Sequence, residues 1–331
     1  MTKPKVWVDR ITKPIDEMLV QSLEWLQWSE LVPINARVAI KPNLTYPFYK
    51  PGVTTSPALL EAVVKLLRTR TPHITIVESD GGSYAWPAQQ AFKGHHIDEI
   101  CARYGARAVN LTEYPREWAE TEILGRRIRL EMSRLLLHGT DVFITMPVPK
   151  VHVMTHVSLG FKNQWGCLPD VKRLRNHAEF PYKVLAINKL LKPKLAIFDG
   201  TYFLNRTGPM DGDPIRMDLL IASDDIGAGT LACCELMQIT PRSVRHLRFA
   251  MREGLMPASL NNVTLNTDLA AFVGPKFTLQ RSLTHWLTLG VFHSKLATRI
   301  AYDSPMAKPL HDILYFFRGR PKDFAPRWGK E

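Results

Sequence analysis

RVAIKPNLTYPFYKPGVTTSPALLEAVVKLLRTRTPHITIVESDGG, residues 37–82, contains one complete turn of an α/β fold. Residues 37–40 are a short apolar run ending in Lys41-Pro42-Asn43, the pattern of a buried strand with a polar exit. Residues 56–68 repeat apolar side chains at helical spacing. Ser56 is placed to cap that helix, and Pro57 falls at its first position, where a missing N–H costs nothing. Residues 73–77 form a second apolar run, and Ser79-Asp80-Gly81-Gly82-Ser83 makes the turn after it. Strand, helix and strand in this order predict two parallel strands joined by a right-handed crossover.

The same alternation continues outward. A helix is expected up to Tyr104 and a strand over residues 107–111. A hairpin should span residues 122–131 and turn near Gly125, followed by a helix over 133–138 and a strand over 141–146. Helices are expected near 155–162 and over 182–191, then a strand over 194–198, a Gly/Pro loop and a strand over 217–222. Further helices start from Asp225 and Ser243. This pattern predicts an α/β protein with a mostly parallel, doubly wound sheet and helices on both faces. Residues 1–274 read as one α/β domain, with room for two lobes meeting near 140–165, and residues 275–331 as a basic helical tail.

Composition sets the outer bounds. The 331 residues are 45% hydrophobic and 22% charged, which is ordinary globular usage. No apolar run reaches the roughly 18 residues of a membrane span, and the first residues lack the apolar core of a signal peptide. The four cysteines form no disulfide-like framework, so reduced thiols and a cytoplasmic setting are expected. The formal charge is +12, and residues 275–331 carry +6 of it. Without zinc-finger spacing, an RNA-binding aromatic signature or a basic recognition helix, that charge does not predict nucleic-acid binding. In residues 277–302, Leu279, Leu283, Trp286, Leu287, Val291, Leu296 and Ile300 recur as one helical stripe that Gly290 should divide. Arg281, Lys295 and Arg299 add charge, and Arg318, Arg320, Lys322 and Arg327 follow. Packing on the domain or on a second subunit is the expected fate of the stripe. Peripheral contact with anionic lipid is the alternative.

Ligands of doubly wound sheets bind at the carboxyl ends of the strands, and the polar residues here gather there. Lys41 and Asn43 follow the first strand, Glu78 and Asp80 the second, Asp199 the strand at 194–198, and Asp224 the strand at 217–222. Thr55 and Ser56 sit where the first loop meets its helix. The densest segment, MPVPKVHVMTHVSLGFKNQWG at residues 146–166, holds Lys150, His152, His156, Lys162 and Asn163. A helix beginning by Val153 would put His156 and Lys162 on one side, with Lys150 and His152 just before its N-terminus, where anions are favoured. Lysines nearby lower imidazole pKa values, so His152 or His156 could act as a base near neutrality. Lys150, His152, His156 and Lys162 are therefore the expected catalytic groups. Lys41, Asn43, Thr55, Ser56, Glu78, Asp80, Asn163, Asp199 and Asp224 are the expected ligand-binding ones. His152 and His156 have metal-ligand spacing, but Val153 replaces the glutamate of the metalloprotease signature. With no third ligand at readable spacing beyond a remote Asp199 or His177, no metal is expected. In the loop at 78–86, Glu78 and Asp80 would repel phosphate and are better suited to hold ligand hydroxyls or orient Lys41. Cys167, without a base of its own, reads as packing.

Six blocks in order carry a resemblance: KPNL at 41–44, TTSP at 54–57, VESDGG at 77–82, PKVHVMTHVSLGFKNQWG at 149–166, FDGTYFLNRTGPMDGDP at 198–214 and SDD at 223–225. Over residues 35–240 the chain resembles the family called domain of unknown function 362. That family implies no settled activity and no particular cofactor. Many of its members add a ferredoxin-like iron–sulfur segment, for which this chain lacks the cysteines. Gly227-Ala228-Gly229 also stands where family members carry Ala-Val-Asp. More distantly, the histidine–lysine–glycine centre is similar to that of nickel-dependent lactate racemases, which implies proton or hydride chemistry on a small hydroxy or keto acid. The expected function is an enzyme acting on a small carboxylate or phosphate by His/Lys-assisted proton transfer or related redox chemistry, as an isomerase, lyase or oxidoreductase. The alternatives are a metal- or redox-linked accessory protein and a ligand- or membrane-binding protein without catalysis.

Overall fold

Strands form where short apolar runs can be buried on both faces at once. The computed structural model describes residues 3–82, 85–175, 177–306, 309 and 313. Its strands, in chain order, are β1 (Lys5–Arg10), β2 (Val38–Pro42), β3 (Ile74–Glu78), β4 (Arg107–Asn110), β5 (Arg116–Ile123) and β6 (Arg126–Ser133). They continue with β7 (Val142–Met146), β8 (Lys150–His152), β9 (His156–Ser158), β10 (Leu195–Asn205), β11 (Asp213–Ser223) and β12 (Thr264–Leu265). The main sheet runs β12-β1-β11-β10-β7-β2-β3-β4, with β8 attached to β10 and β9 to β8. From β10 through β4 every neighbouring pair is parallel, and β11 is antiparallel to both β10 and β1. The sheet is therefore mixed and mostly parallel, with helices on both faces.

Alternation along the strands divides the core in two. Val38, Ile40, Ile74, Ile76, Val142 and Ile144 face one side, with the helices Ile15–Trp25, Pro57–Leu67, Ala88–Gly94 and Ile97–Tyr104. Ala39, Val77, Phe143, Phe198 and Ile221 face the other, with the helices Phe180–Leu191, Ile226–Leu236 and Arg245–Arg252 and the β5–β6 hairpin. Ser56 does cap the first crossover helix, accepting from Leu59 N, and Pro57 opens it. Asp225 caps the helix Ile226–Leu236 in the same way.

The structure departs from the sequence expectation in four places. The residues expected as a helix near 155–162 instead form the second arm of a tight antiparallel hairpin, β8–β9, followed by a short helix, Gly160–Asn163. His152 and His156 therefore face each other across this hairpin. The strand expected at 194–198 runs on through the Asp199-Gly200 segment to Asn205 and turns back as β11, so the Gly/Pro loop shrinks to the tip of a long hairpin. β1 and the helix Ile15–Trp25 lie in a stretch for which no element was expected. Gly290 does not divide the C-terminal helix, which runs Leu283–His293 through it; the break falls at Ser294, which caps a second helix, Lys295–Asp303. Ser83, Arg318, Arg320, Lys322 and Arg327 lie outside the described residues. Among the described residues no helix is long and apolar enough to cross a membrane.

Candidate functional site

At the carboxyl ends of β2 and β3 the chain encloses a half-open cavity of about 130 Å3, close to the ~150 Å3 space that admits one benzene ring. Lys41, Lys150, Lys162 and Arg173 bring four basic side chains to its wall, and Glu78 brings one carboxylate. Asn43, Ser79, Ser158, Asn163, Trp165 and Gly166 also line it.

Lys41 ends the central strand β2 between β7 and β3 and is 1% exposed. Its ammonium meets Glu78 Oε2 at 2.7 Å and the Pro42 carbonyl at 2.6 Å. The pair accounts for the glycine at 166. A Cβ there would stand 2.5 Å from Glu78 Oε1 and 3.1 Å from Lys41 Nζ, so the chain can pass only without a side chain. Ser79 ties the same two segments together, its hydroxyl donating to the Gly166 and Leu168 carbonyls at 2.5 and 2.9 Å.

Lys150, on β8, is also fully buried, and it has no carboxylate. Its ammonium donates to the Val53 carbonyl at 2.5 Å and to Asn43 Oδ1 at 3.3 Å. Burial, then the charges of Lys162 and Lys41, hold its pKa well below the lysine range. Lys162 projects from the short helix Gly160–Asn163, and no hydrogen bond or ion pair holds its ammonium among the described residues. It keeps some access through the cavity while protein surrounds it elsewhere. Burial, with repulsion from Arg173, brings its pKa down to about 7. Arg173 anchors through Nη2 to the Asp80 carbonyl at 2.8 Å, with longer contacts of 3.4 Å from Nη1 to the Leu168 and Asp170 carbonyls. Trp165 is nine-tenths buried, and its indole N–H has no partner among the described residues.

Asn163 and Asn43 act as struts. Asn163 Nδ2 donates to the Lys41 carbonyl and to Thr145 Oγ1, both at 2.9 Å, locking the short helix onto β2 and β7. Asn43 N donates to Thr55 Oγ1 at 2.8 Å, and that hydroxyl passes its own proton to the Met146 carbonyl at 2.7 Å. Thr55 thus braces the cavity floor without lining it. Glu78 does orient Lys41, one of the two roles expected of it.

Several expected residues lie elsewhere. Asp80 Oδ1 is engaged by Ala88 N and Asn110 Nδ2, and only its carbonyl reaches the site, through Arg173. Asp199 accepts from Ser56 N at 2.7 Å, where Ser56 is a helix cap, and neither lines the cavity. Asp224 accepts from Lys5 N at 2.7 Å toward the β1 edge of the sheet. His152 is buried behind the cavity wall, its Nδ1 accepting from Met154 N. Burial, then Lys162, hold its pKa well below the imidazole range. His156 sits on the outer arm of the hairpin at φ 73°, half-buried beside Arg281, and does not line the cavity. The helix-start anion site expected from Lys150 and His152 is absent because both lie on a strand. His177 and His246, each held near pKa 3 by burial and then by Lys162, form a buried imidazole layer with Phe180. No group of three His, Cys, Asp or Glu side chains among the described residues could hold a metal ion. Cys167 is buried, and burial pushes its thiol up to about 12, in keeping with packing.

Sequence reasoning missed Arg173 and Trp165. Arg173 sits in the cluster Lys172-Arg173-Leu174-Arg175 after an apolar stretch, and a basic cluster following a strand-end motif was the available signal. Nothing in the sequence marked the indole of Trp165.

A family model described as a domain of unknown function, DUF362, matches residues 38–235, more than half of the sequence, and the chain belongs to that family. A curated relative, a thylakoid-associated protein of Synechocystis sp., is 31% identical over 126 residues, covering 36% of this chain and 39% of the relative. Among solved structures, the lactate racemase apoprotein of Thermoanaerobacterium thermosaccharolyticum superposes with a TM-score of 0.48 at 14% identity, over 72% of this chain and 58% of that one. A structural-genomics protein of Thermotoga maritima gives a TM-score of 0.37 at 13% identity, over 61% and 52%. The chain thus spans less than two thirds of each of these proteins.

Proposed function

We propose that the chain is an enzyme that binds a small carboxylate or phosphate in the cavity beneath the β2 and β3 ends and moves a proton on it with Lys162. One observation carries this reading: the Lys162 amino group faces the cavity with no partner among the described residues, while the wall carries four basic side chains and one carboxylate. An unpaired charge in such a place costs free energy that a bound anion would recover. Arg173 would fix the anionic group, with the Lys150 amino group and the Trp165 N–H as further hydrogen-bond donors. A lysine with a pKa of about 7 is half deprotonated near neutral pH, the condition a general base or acid requires. The imidazoles behind it would keep it desolvated without adding charge. The size of the space favours a ligand no larger than a six-membered ring with its substituents. Buried, reduced thiols fit a cytoplasmic setting.

Calorimetric titration of the full chain with small mono- and dicarboxylates and inorganic phosphate at pH 6 tests the reading. At least one should bind, with its affinity lost in Lys162→Met. Equal binding by the variant, or none of these anions binding the parent protein, would remove it.

A further inference from the structure

The helix Leu283–His293 carries large apolar side chains on more than one side, yet among the described residues one side meets the protein and another stands exposed. His285, Thr288, Leu289 and Phe292 are half-buried, as residues spaced three and four apart on an inward face should be. On the opposite face Leu283 is 75% exposed and Leu287 64%, with Trp286 and Val291 exposed beside them. The next helix continues the pattern with Leu296, 70% exposed, and Ile300. An apolar face of this kind is normally covered. Arg281, whose guanidinium lies 5.0 Å from the centre of the Trp286 ring, borders this face with a positive charge.

A second, independent feature lies beside it. The helix Arg245–Arg252 is strongly two-sided. His246, Leu247, Phe249 and Ala250 point inward, and Arg245, Arg248 and Arg252 stand exposed, with Arg242 just before them. The acid at its end, Glu253, is held by Lys189 at 2.6 Å and does not neutralise them. Both helices flank one ring stack. His246 meets Phe180 at 5.6 Å, Phe180 stacks on His177 at 4.9 Å, and His177 meets His293 at 6.1 Å. An exposed apolar ridge and an arginine row therefore lie on two helices linked through this one ring stack.

We propose that the helices Leu283–His293, Lys295–Asp303 and Arg245–Arg252 together form a docking surface for an anionic lipid bilayer, with the apolar ridge entering the headgroup boundary and the arginines meeting the lipid phosphates. The charge selects this occupant. Arg242, Arg245, Arg248, Arg252 and Arg281 make this face positive on a chain of net +12, so a second copy of the same face would be repelled, whereas an anionic surface attracts it. A nucleic acid would use the arginines and leave Leu283, Leu287 and Leu296 in water. Trp286 beside Arg281 is the amphipathic pairing that suits a membrane interface.

Sedimentation of the full chain with vesicles of phosphatidylcholine alone, or with phosphatidylglycerol added, tests this. Binding should require phosphatidylglycerol and weaken with salt. The pair Arg245→Glu and Arg248→Glu should reduce it at least tenfold, since each basic residue near such a surface contributes roughly a fivefold factor. The pair Trp286→Ser and Leu287→Ser should also reduce it at least tenfold while the far-ultraviolet circular dichroism stays that of the parent. Both positions are exposed, so the fold does not depend on them. Light scattering should show one oligomeric state for all variants. The proposal is overturned if the parent chain does not sediment with phosphatidylglycerol vesicles. It is also overturned if only the arginine pair matters, which would mark a polyanion site, or if the Trp286/Leu287 pair dissociates an oligomer without changing vesicle binding, which would mark an interface between copies.

Discussion

Lys41 and Lys162 line the same cavity, and their surroundings could hardly differ more. Lys41 is held at 2.7 Å by Glu78, at the end of the most buried strand of the sheet. Lys162 stands on a four-residue helix with no partner among the described residues, and its pKa is drawn down to about 7. One lysine is part of the frame, and the other is free to respond to what enters. Residue type and location alone would give both the same role. The presence or absence of a carboxylate within 3 Å separates them.

The largest effect should come from breaking the frame. Glu78→Gln leaves the Lys41 charge buried and uncompensated, and loss of one partner of a buried pair costs about 3–5 kcal/mol. Urea denaturation should show a loss of that size, and a loss under 1 kcal/mol would mean that Lys41 is not a frame residue. Lys162→Met removes a charge that the fold leaves uncompensated, so near neutral pH it should not lower stability and should raise it. It should also weaken anion binding roughly ten- to a hundredfold, the worth of a hydrogen bond to a charged group. Should stability and binding fall together in this variant, the contrast between the two lysines fails.

A pH experiment sharpens the contrast without mutation. The folded pKa of Lys162 lies below its unfolded value, so between about pH 7 and the ordinary lysine range the unfolded chain holds the extra proton. The Lys162 contribution to stability should therefore rise with pH across that window, while anion affinity falls as the ammonium loses its proton near pH 7. Opposite slopes in the parent, both flattened in Lys162→Met, are the expected result of paired calorimetric and denaturation series. The smallest effect belongs to His156→Ala. That imidazole is outside the cavity, so anion affinity should stay within about twofold of the parent.

These contrasts also show which parts of the molecule could be read from sequence. The β2–helix–β3 unit was legible because local signals agreed: Ser56 and Pro57 begin the helix, apolar spacing carries it, and Lys41-Pro42-Asn43 ends the preceding strand. The hairpin at β8–β9 was not. Residues 153–162 carry apolar spacing that fits a helix, and the turn lacks the Asn-Gly or Asp-Gly pair that announces a hairpin. Distant contacts hold it instead: Val153 N donates to the Gly208 carbonyl, Arg281 reaches the Val153 carbonyl at 2.6 Å, and Lys150 pairs in register with Leu204. The expected lysines 41, 150 and 162 nevertheless come together at one cavity, because strand-end location survives an error in the following element. The histidines were overvalued for the same reason that Arg173 was missed. Sequence density measures how many polar groups are close along the chain, and the cavity is assembled across it.

The hydrogen bond from Ser56 N to Asp199 Oδ2 spans 143 positions, that from Lys150 to the Val53 carbonyl 97, and that from Thr55 to the Met146 carbonyl 91. Each closes a loop containing a large part of the protein, a long-range closure that chains reach slowly. A nascent chain released only as far as Met146 would already hold Lys41, Glu78 and their helix, yet would present no closed pocket. The pocket comes into being when the second half of the sheet is laid against the first. A small anion that fits it would then add its binding energy to the finished protein alone, by mass action on the native state. Ligand protection against proteolysis would thus report, molecule by molecule, whether synthesis and folding had run to the end.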